Sequence, residues 1–212
     1  MTRIAGVILA GGRGERLGGV IKANLTIDGR RLLDRVTERL RDVDTLLVAH
    51  GPIPPDALSL ASHHLGIPDL DTDYAGPLAG LAAAVNWAKQ QASPPEILVL
   101  APVDTPFLSQ DYLARLVAGL ANAPAAIASF DGQAYPTNSA WRRNALLDLP
   151  TALRAGSAPH SLKRLGAALG AIQVDFPANA GGDPFANANT PDDLVALERR
   201  ASLAAGFQQP GP

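Results

Sequence analysis

No cysteine occurs among the 212 residues. Disulfides and thiolate metal sites are thereby excluded, and the lack fits a reducing compartment, so a cytoplasmic protein is expected. Aromatic residues are few, two Trp, three Tyr and five Phe, while 47% of the chain is apolar and much of that is alanine. Such a composition suits close-packed helices on a sheet better than a β-sandwich. Charge of one sign is also lacking, the formal net charge being −2. Neither the basic footprint of a nucleic-acid binder nor a polybasic membrane anchor is present, and neither partner is expected. The N-terminal run "RIAGVILA" is too short for a signal h-region or a membrane span, and glycines follow it at once.

What the chain does have is an alternation of apolar runs and amphipathic segments. "IAGVILA" (4–10), "TLLVAH" (45–50) and "EILVLAPVD" (96–104) read as buried strands of a parallel sheet. Leu33, Val36 and Leu40 recur at helical spacing between charged residues. A short helix is expected over 57–65, and "GPLAGLAAAVNWAKQQ" (76–91) reads as a helix with Pro77 in its first turn. "SQDYLARLVAGL" (109–120) reads as a helix with serine at the N-cap. "AAIASF" and "QAYPTNSAW" are two strands around a turn at Asp131-Gly132. Helices follow over 142–156 and 158–169, then a strand in "AIQVDF" and a helix opened by Thr190 and Pro191. The order implies an α/β three-layer sandwich, a mostly parallel sheet with helices on both faces. A single domain over 1–204 and a disordered tail over 205–212 are expected.

Ligands of such sheets sit beyond the carboxyl ends of the strands. Two features fall there. "LAGGRGERLGGVIK" (9–22) packs five glycines into the loop after the first strand. It fails the dinucleotide fingerprint, because Leu17 stands where the third glycine belongs, and the P-loop, because Val20 stands where lysine belongs. Bare backbone N–H groups can still cradle phosphate, with Arg13, Arg16 and Lys22 adding charge-assisted bonds; the alternative is a solvated turn with incidental arginines. Asp104, at the end of the third strand, suits Mg²⁺ beside phosphates, or else is a helix-capping or turn residue ahead of Pro106. Asp69, Asp71 and Asp73 are either a solvated acidic loop or part of a site. Asn187 and Asn189 precede a helix, where Asn189 either caps a turn or meets a ligand. His50, His63, His64 and His160 form no metal-ligand spacing and read as surface or packing residues, and no G-x-S-x-G is found.

Taken in order, "LAGGRGERLGG" with Lys22, "GPLAGL", "PVDTPFL", "YPTNSAW" and "NANTPDDL" resemble the molybdenum cofactor guanylyltransferases, over about Ile4 to Leu197. The resemblance implies a Rossmann-like nucleotidyltransferase fold and a Mg²⁺-dependent reaction. In it the terminal phosphate of molybdopterin attacks the α-phosphate of GTP, releasing pyrophosphate and forming the guanine dinucleotide cofactor. It implies GTP and molybdopterin as partners, with acceptor or cofactor-synthesis enzymes beside them. Leu9, Ala10, Gly11 and Gly12 look like nucleotide contacts, and "LAGG" is similar to the guanylyl rather than the cytidylyl branch. Lys22 matches the lysine near the phosphates, with Arg16 beside it. Asp69 matches a nucleotide-binding aspartate and Asp104 the metal ligand; Thr137, Asn187 and Asn189 fall on the acceptor side. Two positions depart from the pattern. Ile21 stands where the family has aspartate before the lysine, and Ala49 stands where it often has asparagine, with His50 one position on and so on the other side of the strand. A nucleotidyltransferase using CTP or another phosphorylated acceptor, and a silent GTP-binding subunit, are the alternatives.

Overall fold

The computed structural model describes residues 2–12, 14–70 and 76–206. β1 (Ile4–Leu9) leads through the glycine loop to a small hairpin, β2 (Thr26–Ile27) and β3 (Arg30–Arg31), and then to α1 (Leu32–Arg39). β4 (Thr45–Ala49), β5 (His64–Ile67), α2 (Pro77–Lys89) and β6 (Ile97–Pro102) follow. Next come α3 (Tyr112–Leu120), β7 (Ala125–Phe130), β8 (Gln133–Arg142), α4 (Leu149–Arg154), α5 (Leu162–Leu169), β9 (Ile172–Asp175) and α6 (Pro191–Gly206).

Among the described residues, seven strands form one sheet in the order β5-β4-β1-β6-β8-β7-β9. Only β8 runs against the rest: it pairs antiparallel with β6 and β7, and the other neighbours pair parallel. The apolar runs explain the layers. Side chains alternate across a strand, so a continuous apolar strand needs a cover on each face. Val7 packs with Leu47, Leu81, Val85 and Trp141 on the α2, α4 and α5 side. Its neighbour Ile8 packs with Val36, Leu40, Leu116 and Phe176 on the α1 and α3 side. The expected three-layer arrangement is what the chain adopts. No helix of the described residues is long and apolar enough to cross a membrane.

Several local expectations change. The stretch expected as a helix over 57–65 is a 3₁₀ turn, Pro55–Leu58, followed by the edge strand β5. Ser59 takes a left-handed φ of 48°, which ends the turn, and parallel pairing with β4 from Leu46↔His64 to Ala49↔Ile67 outweighs local helical preference. His64 is a packing residue: its Nδ1 accepts from the Ala61 N–H at 3.2 Å, so Nε2 carries the proton toward Thr37 Oγ1 at 3.0 Å. Ser109 is not the N-cap of α3; Asp111 holds that place without a side-chain bond. The helix expected over 142–156 splits into a 3₁₀ turn, Arg143–Leu146, and α4, because Pro150 fits only a first turn. The helix expected over 158–169 starts later, at Leu162, with Ser161 as its N-cap accepting from the Arg164 N–H. α6 reaches Gly206, two residues into the expected tail, whose remainder lies outside the described residues.

α6 is tied down by Arg200. Its guanidinium donates to the carbonyls of Ala180 at 3.1 Å, Asp183 at 2.7 Å and Asn179, and lies 4.2 Å from the Phe107 ring centre. Asn179 Nδ2 returns a bond of 2.7 Å to the Phe107 carbonyl. Arg200→Ala is expected to cost about 2 kcal/mol, read as a lower denaturant midpoint at unchanged slope. Arg200→Lys should recover less than half, since one ammonium cannot span three carbonyls and a ring.

Candidate functional site

The carboxyl ends of β1, β4 and β6 lie side by side, and the chain leaves each through a residue that lines one cleft: Gly11 after β1, Gly51 after β4 and Asp104 after β6. The cleft measures about 1140 Å³. That exceeds the ~300–1,000 Å³ of a pocket for one small ligand and suits two reactants side by side. Leu9, Gly12, Arg16, Lys22 and Asp69 from the expected site also line it, as do Thr137, Asn187 and Asn189. Ala10 does not: its side chain is fully buried in the core. Arg13, Asp71 and Asp73 lie outside the described residues.

The glycine loop is held by its own backbone. The Gly14 carbonyl accepts from Leu17 N–H at 2.8 Å and Gly19 N–H at 3.0 Å, around a 3₁₀ turn at Glu15–Leu17. Gly14 has φ 55°, and a Cβ there would sit 2.2 Å from the Val20 carbonyl oxygen. Only glycine closes this turn. Arg16 is exposed on it and reaches the cleft. Gly14→Ala must therefore reshape the cradle. On the sequence expectation that this loop cradles phosphate, the result is at least a tenfold loss of nucleoside triphosphate affinity, measured by calorimetric titration, with a thermal midpoint within a few degrees of wild type because the loop covers little core.

Lys22 opens a 3₁₀ turn, Lys22–Asn24, and directs Nζ to two oxygens: Asp104 Oδ2 at 2.7 Å and Asn189 Oδ1 at 2.6 Å. Both members of the ion pair keep a little solvent access, at 12% and 14% of their side chains. An ammonium has three N–H donors, so one is left for a ligand oxygen once these two are formed. Asp104 is thus not a helix cap, and its own carbonyl accepts from Ala188 N–H at 3.0 Å, which brings the 187–189 segment against β6. The cap of α6 comes from Thr190 Oγ1, which accepts from Asp193 N–H at 3.2 Å, and the Asn189 side chain is turned to Lys22. Ile21 packs against the core on the α1 side.

Asp69 lies beyond β5, on a floor of glycines. A Cβ on Gly11 would lie 3.4 Å, on Gly51 3.3 Å and on Gly80 3.5 Å from its carboxylate oxygens. Gly11 and Gly51 also approach so closely that a Cβ on Gly11 would stand 3.1 Å from the Gly51 Cα. Burial pushes the Asp69 carboxyl above the usual carboxylate range, against the pull of a Gly51 N–H bond and of His50. A carboxylate among bare backbone can accept from N–H donors on the edge of a flat ligand. Gly51 and Gly80 had not been expected in the site; the signal was a glycine directly after the second strand and another one turn into a helix. His50 is buried, and it is Ala49 and Gly51 that line the cleft, as the alternation along the strand requires.

Comparison with known proteins points the same way. Residues 6–171 match the family described as the MobA-like NTP transferase domain. The molybdenum cofactor guanylyltransferase of Cereibacter sphaeroides (strain ATCC 17029 / ATH 2.4.9) is 37% identical over 199 residues, covering 92% of this chain and 96% of the relative. Molybdopterin-guanine dinucleotide biosynthesis protein A from Archaeoglobus fulgidus superposes with a TM-score of 0.69 at 22% identity, over 93% of this chain and 98% of that one. The 2-C-methyl-D-erythritol 4-phosphate cytidylyltransferase of Thermus thermophilus gives a TM-score of 0.64 at 22% identity, over 92% of this chain and 98% of that one. Both structures share the fold, and their names differ in the nucleotide.

Proposed function

The chain belongs to the MobA-like NTP transferase family, and from that premise we propose that it transfers GMP from GTP to the terminal phosphate of molybdopterin. A phosphate oxygen of molybdopterin attacks the α-phosphorus of GTP. One P–O bond forms, the bond from the α-phosphorus to its bridging oxygen breaks, and pyrophosphate leaves with the electron pair. No general base is required, because the attacking phosphate is already ionised near neutral pH. Catalysis is then a matter of position and charge.

The observation that carries this reading is the meeting of Lys22 with Asp104 and Asn189 in the cleft that also holds Asp69. In the sheet, β4 and β1 lie between the strands that lead to Asp69 and to Asp104. A nucleotide laid across them places its base at one carboxylate and its phosphates at the other. Asp69 would accept from the N1–H and N2–H₂ edge of guanine, over the glycine floor. The remaining Lys22 donor and Arg16 would neutralise the α-phosphate and the departing pyrophosphate. Thr137 and Asn187 would meet the acceptor phosphate.

Magnesium fits this donor set. Asp104 gives one carboxylate in the cleft, and Mg²⁺ is ordinarily held by one or two carboxylates together with substrate phosphates and water. Among the described residues no group of three or more acidic or histidine side chains gathers into a dedicated cage. Bound at Asp104, the ion would supply charge to the triphosphate. Asp104 bonds Lys22 through Oδ2, so its second carboxylate oxygen would be the one to hold the ion while Lys22 offers its third N–H to phosphate.

Pyrophosphate release with molybdopterin and Mg²⁺ tests the reading, GTP against CTP. Release with GTP at least tenfold faster than with CTP is expected. Preference for CTP would give the cytidylyl reading, and GTP binding without release would give the silent binding subunit.

A further inference from the structure

Lys22 is fixed by groups far from it in sequence, and one of these is itself held in place. The Asn189 N–H and the Thr190 N–H both donate to Asp193, at 3.0 and 2.8 Å, and both bonds end on the same oxygen, Oδ2. The Asp193 N–H returns a bond to Thr190 Oγ1, and the Ala188 N–H binds the Asp104 carbonyl. The segment 188–190 is thus pinned to β6 at one end and to the first turn of α6 at the other. Asn189, between the pins, presents its amide oxygen to Lys22 Nζ at 2.6 Å.

We propose that Asp193 is a positioning residue for Lys22: by anchoring the backbone of Asn189 and Thr190 it aims the Asn189 amide that holds the ammonium. The proposal rests on the reading that Lys22 serves a nucleoside triphosphate. Its geometric basis is independent of which nucleotide binds. Three features single Asp193 out from an ordinary helix cap. Its bond to the Thr190 N–H is the return half of a capping box, but the same oxygen also takes the N–H of Asn189, the residue whose amide touches Lys22. Desolvation works to raise its pKa, yet the Thr190 and Asn189 bonds and the Lys22 charge together hold it below the usual carboxylate range. Ile21 packs against the core on the α1 side, so the residue next to Lys22 in the chain brings no carboxylate to the ammonium. Its orientation then depends on Asp104 and on Asn189.

The chain has three lysines, Lys22, Lys89 and Lys163, so ¹³Cε,¹⁵Nζ-lysine labelling of the whole protein gives few signals, and Lys22→Arg assigns the one required. In Asp193→Ala the Lys22 signal should shift and broaden, with the Lys89 and Lys163 signals unmoved. The kcat for nucleotidyl transfer should fall about tenfold with KM for GTP changing less than threefold. In Asp193→Asn a single amide oxygen can accept both N–H bonds, so the Lys22 signal and kcat should stay near wild type. Thr190→Ala removes the cap bond and keeps the two anchors. It should lower the thermal midpoint as Asp193→Ala does, with the Lys22 signal in place. The proposal is overturned if Asp193→Ala lowers only the thermal midpoint, or if Asp193→Asn displaces Lys22 as far as alanine does. Because the spectrum needs no activity, a Lys22 shift in a protein without guanylyl transfer would leave the positioning intact and sink only the function assigned above.

Discussion

Asp104→Ala is expected to lower the single-turnover rate of GMP transfer by about 10³-fold, with GTP binding weakened far less. The loss has two sources. The carboxylate that would hold the metal is gone, and Lys22 keeps only Asn189 of its two partners. Lys22→Ala should cost about 10²–10³-fold, because charge on the α-phosphate and on pyrophosphate is then unmatched. The two side chains act on one charge distribution, so the double variant should be little worse than the worse single variant. The fold should survive in all three. The ion pair is mostly buried, with 12% and 14% of its side chains exposed, and removing one partner costs about 3 kcal/mol, which lies within the ~5–15 kcal/mol stability of an ordinary domain. A rate loss that tracked a collapse in stability would contradict this account.

Asp69→Asn should separate stability from recognition. The folded carboxyl titrates above its unfolded value because it is desolvated. A group with a raised folded pKa contributes stability fully present below the unfolded pKa and lost as pH rises through the folded one. At neutral pH the ionised Asp69 is therefore a net cost, and an amide of the same shape removes it while still accepting the Gly51 N–H. The thermal midpoint of the ligand-free variant should rise, by roughly 1–2 °C once solvent screening is allowed for. The difference from wild type should close as pH falls below the carboxylate range. GTP affinity should drop at least tenfold, since the amide sets N–H groups against the donor edge of guanine. The loss for CTP should be small, so preference between the two nucleotides narrows. Calorimetric titration of both nucleotides, beside thermal melts from pH 4 to 8, reads all of this.

The central strands were legible because each is a continuous apolar run, and the Asp131-Gly132 turn because both residues take positive φ, 49° and 76°. β5 was not, because "HLGI" is four residues of edge strand whose conformation comes from its pairing with β4. The β2–β3 hairpin turns at Asp28-Gly29, another pair at positive φ, but its two-residue strands are too short to register as periodicity. Topology alone put the glycine loop and Asp104 at one crevice. It could not have joined them to Asn189, 167 residues from Lys22; the family resemblance put Asn189 on the acceptor side, and its bond to Lys22 is a matter of tertiary contact. The glycine floor under Asp69 escaped notice for the same reason, since Gly11, Gly51 and Gly80 meet only where β1, β4 and α2 converge. Ile21, which departs from the family pattern, proves to pack against the core on the α1 side, and it is Asp104 and Asn189 that hold Lys22.

The most direct test of guanylyl transfer is to incubate the protein with molybdopterin, Mg²⁺ and GTP labelled with ³²P at the α-phosphate, then separate the products. The account predicts that label moves into a molybdopterin–GMP adduct as unlabelled pyrophosphate appears in equal amount, and that Asp104→Ala abolishes both. Label that stays in GTP, or transfer seen only from CTP labelled at its own α-phosphate, would contradict it.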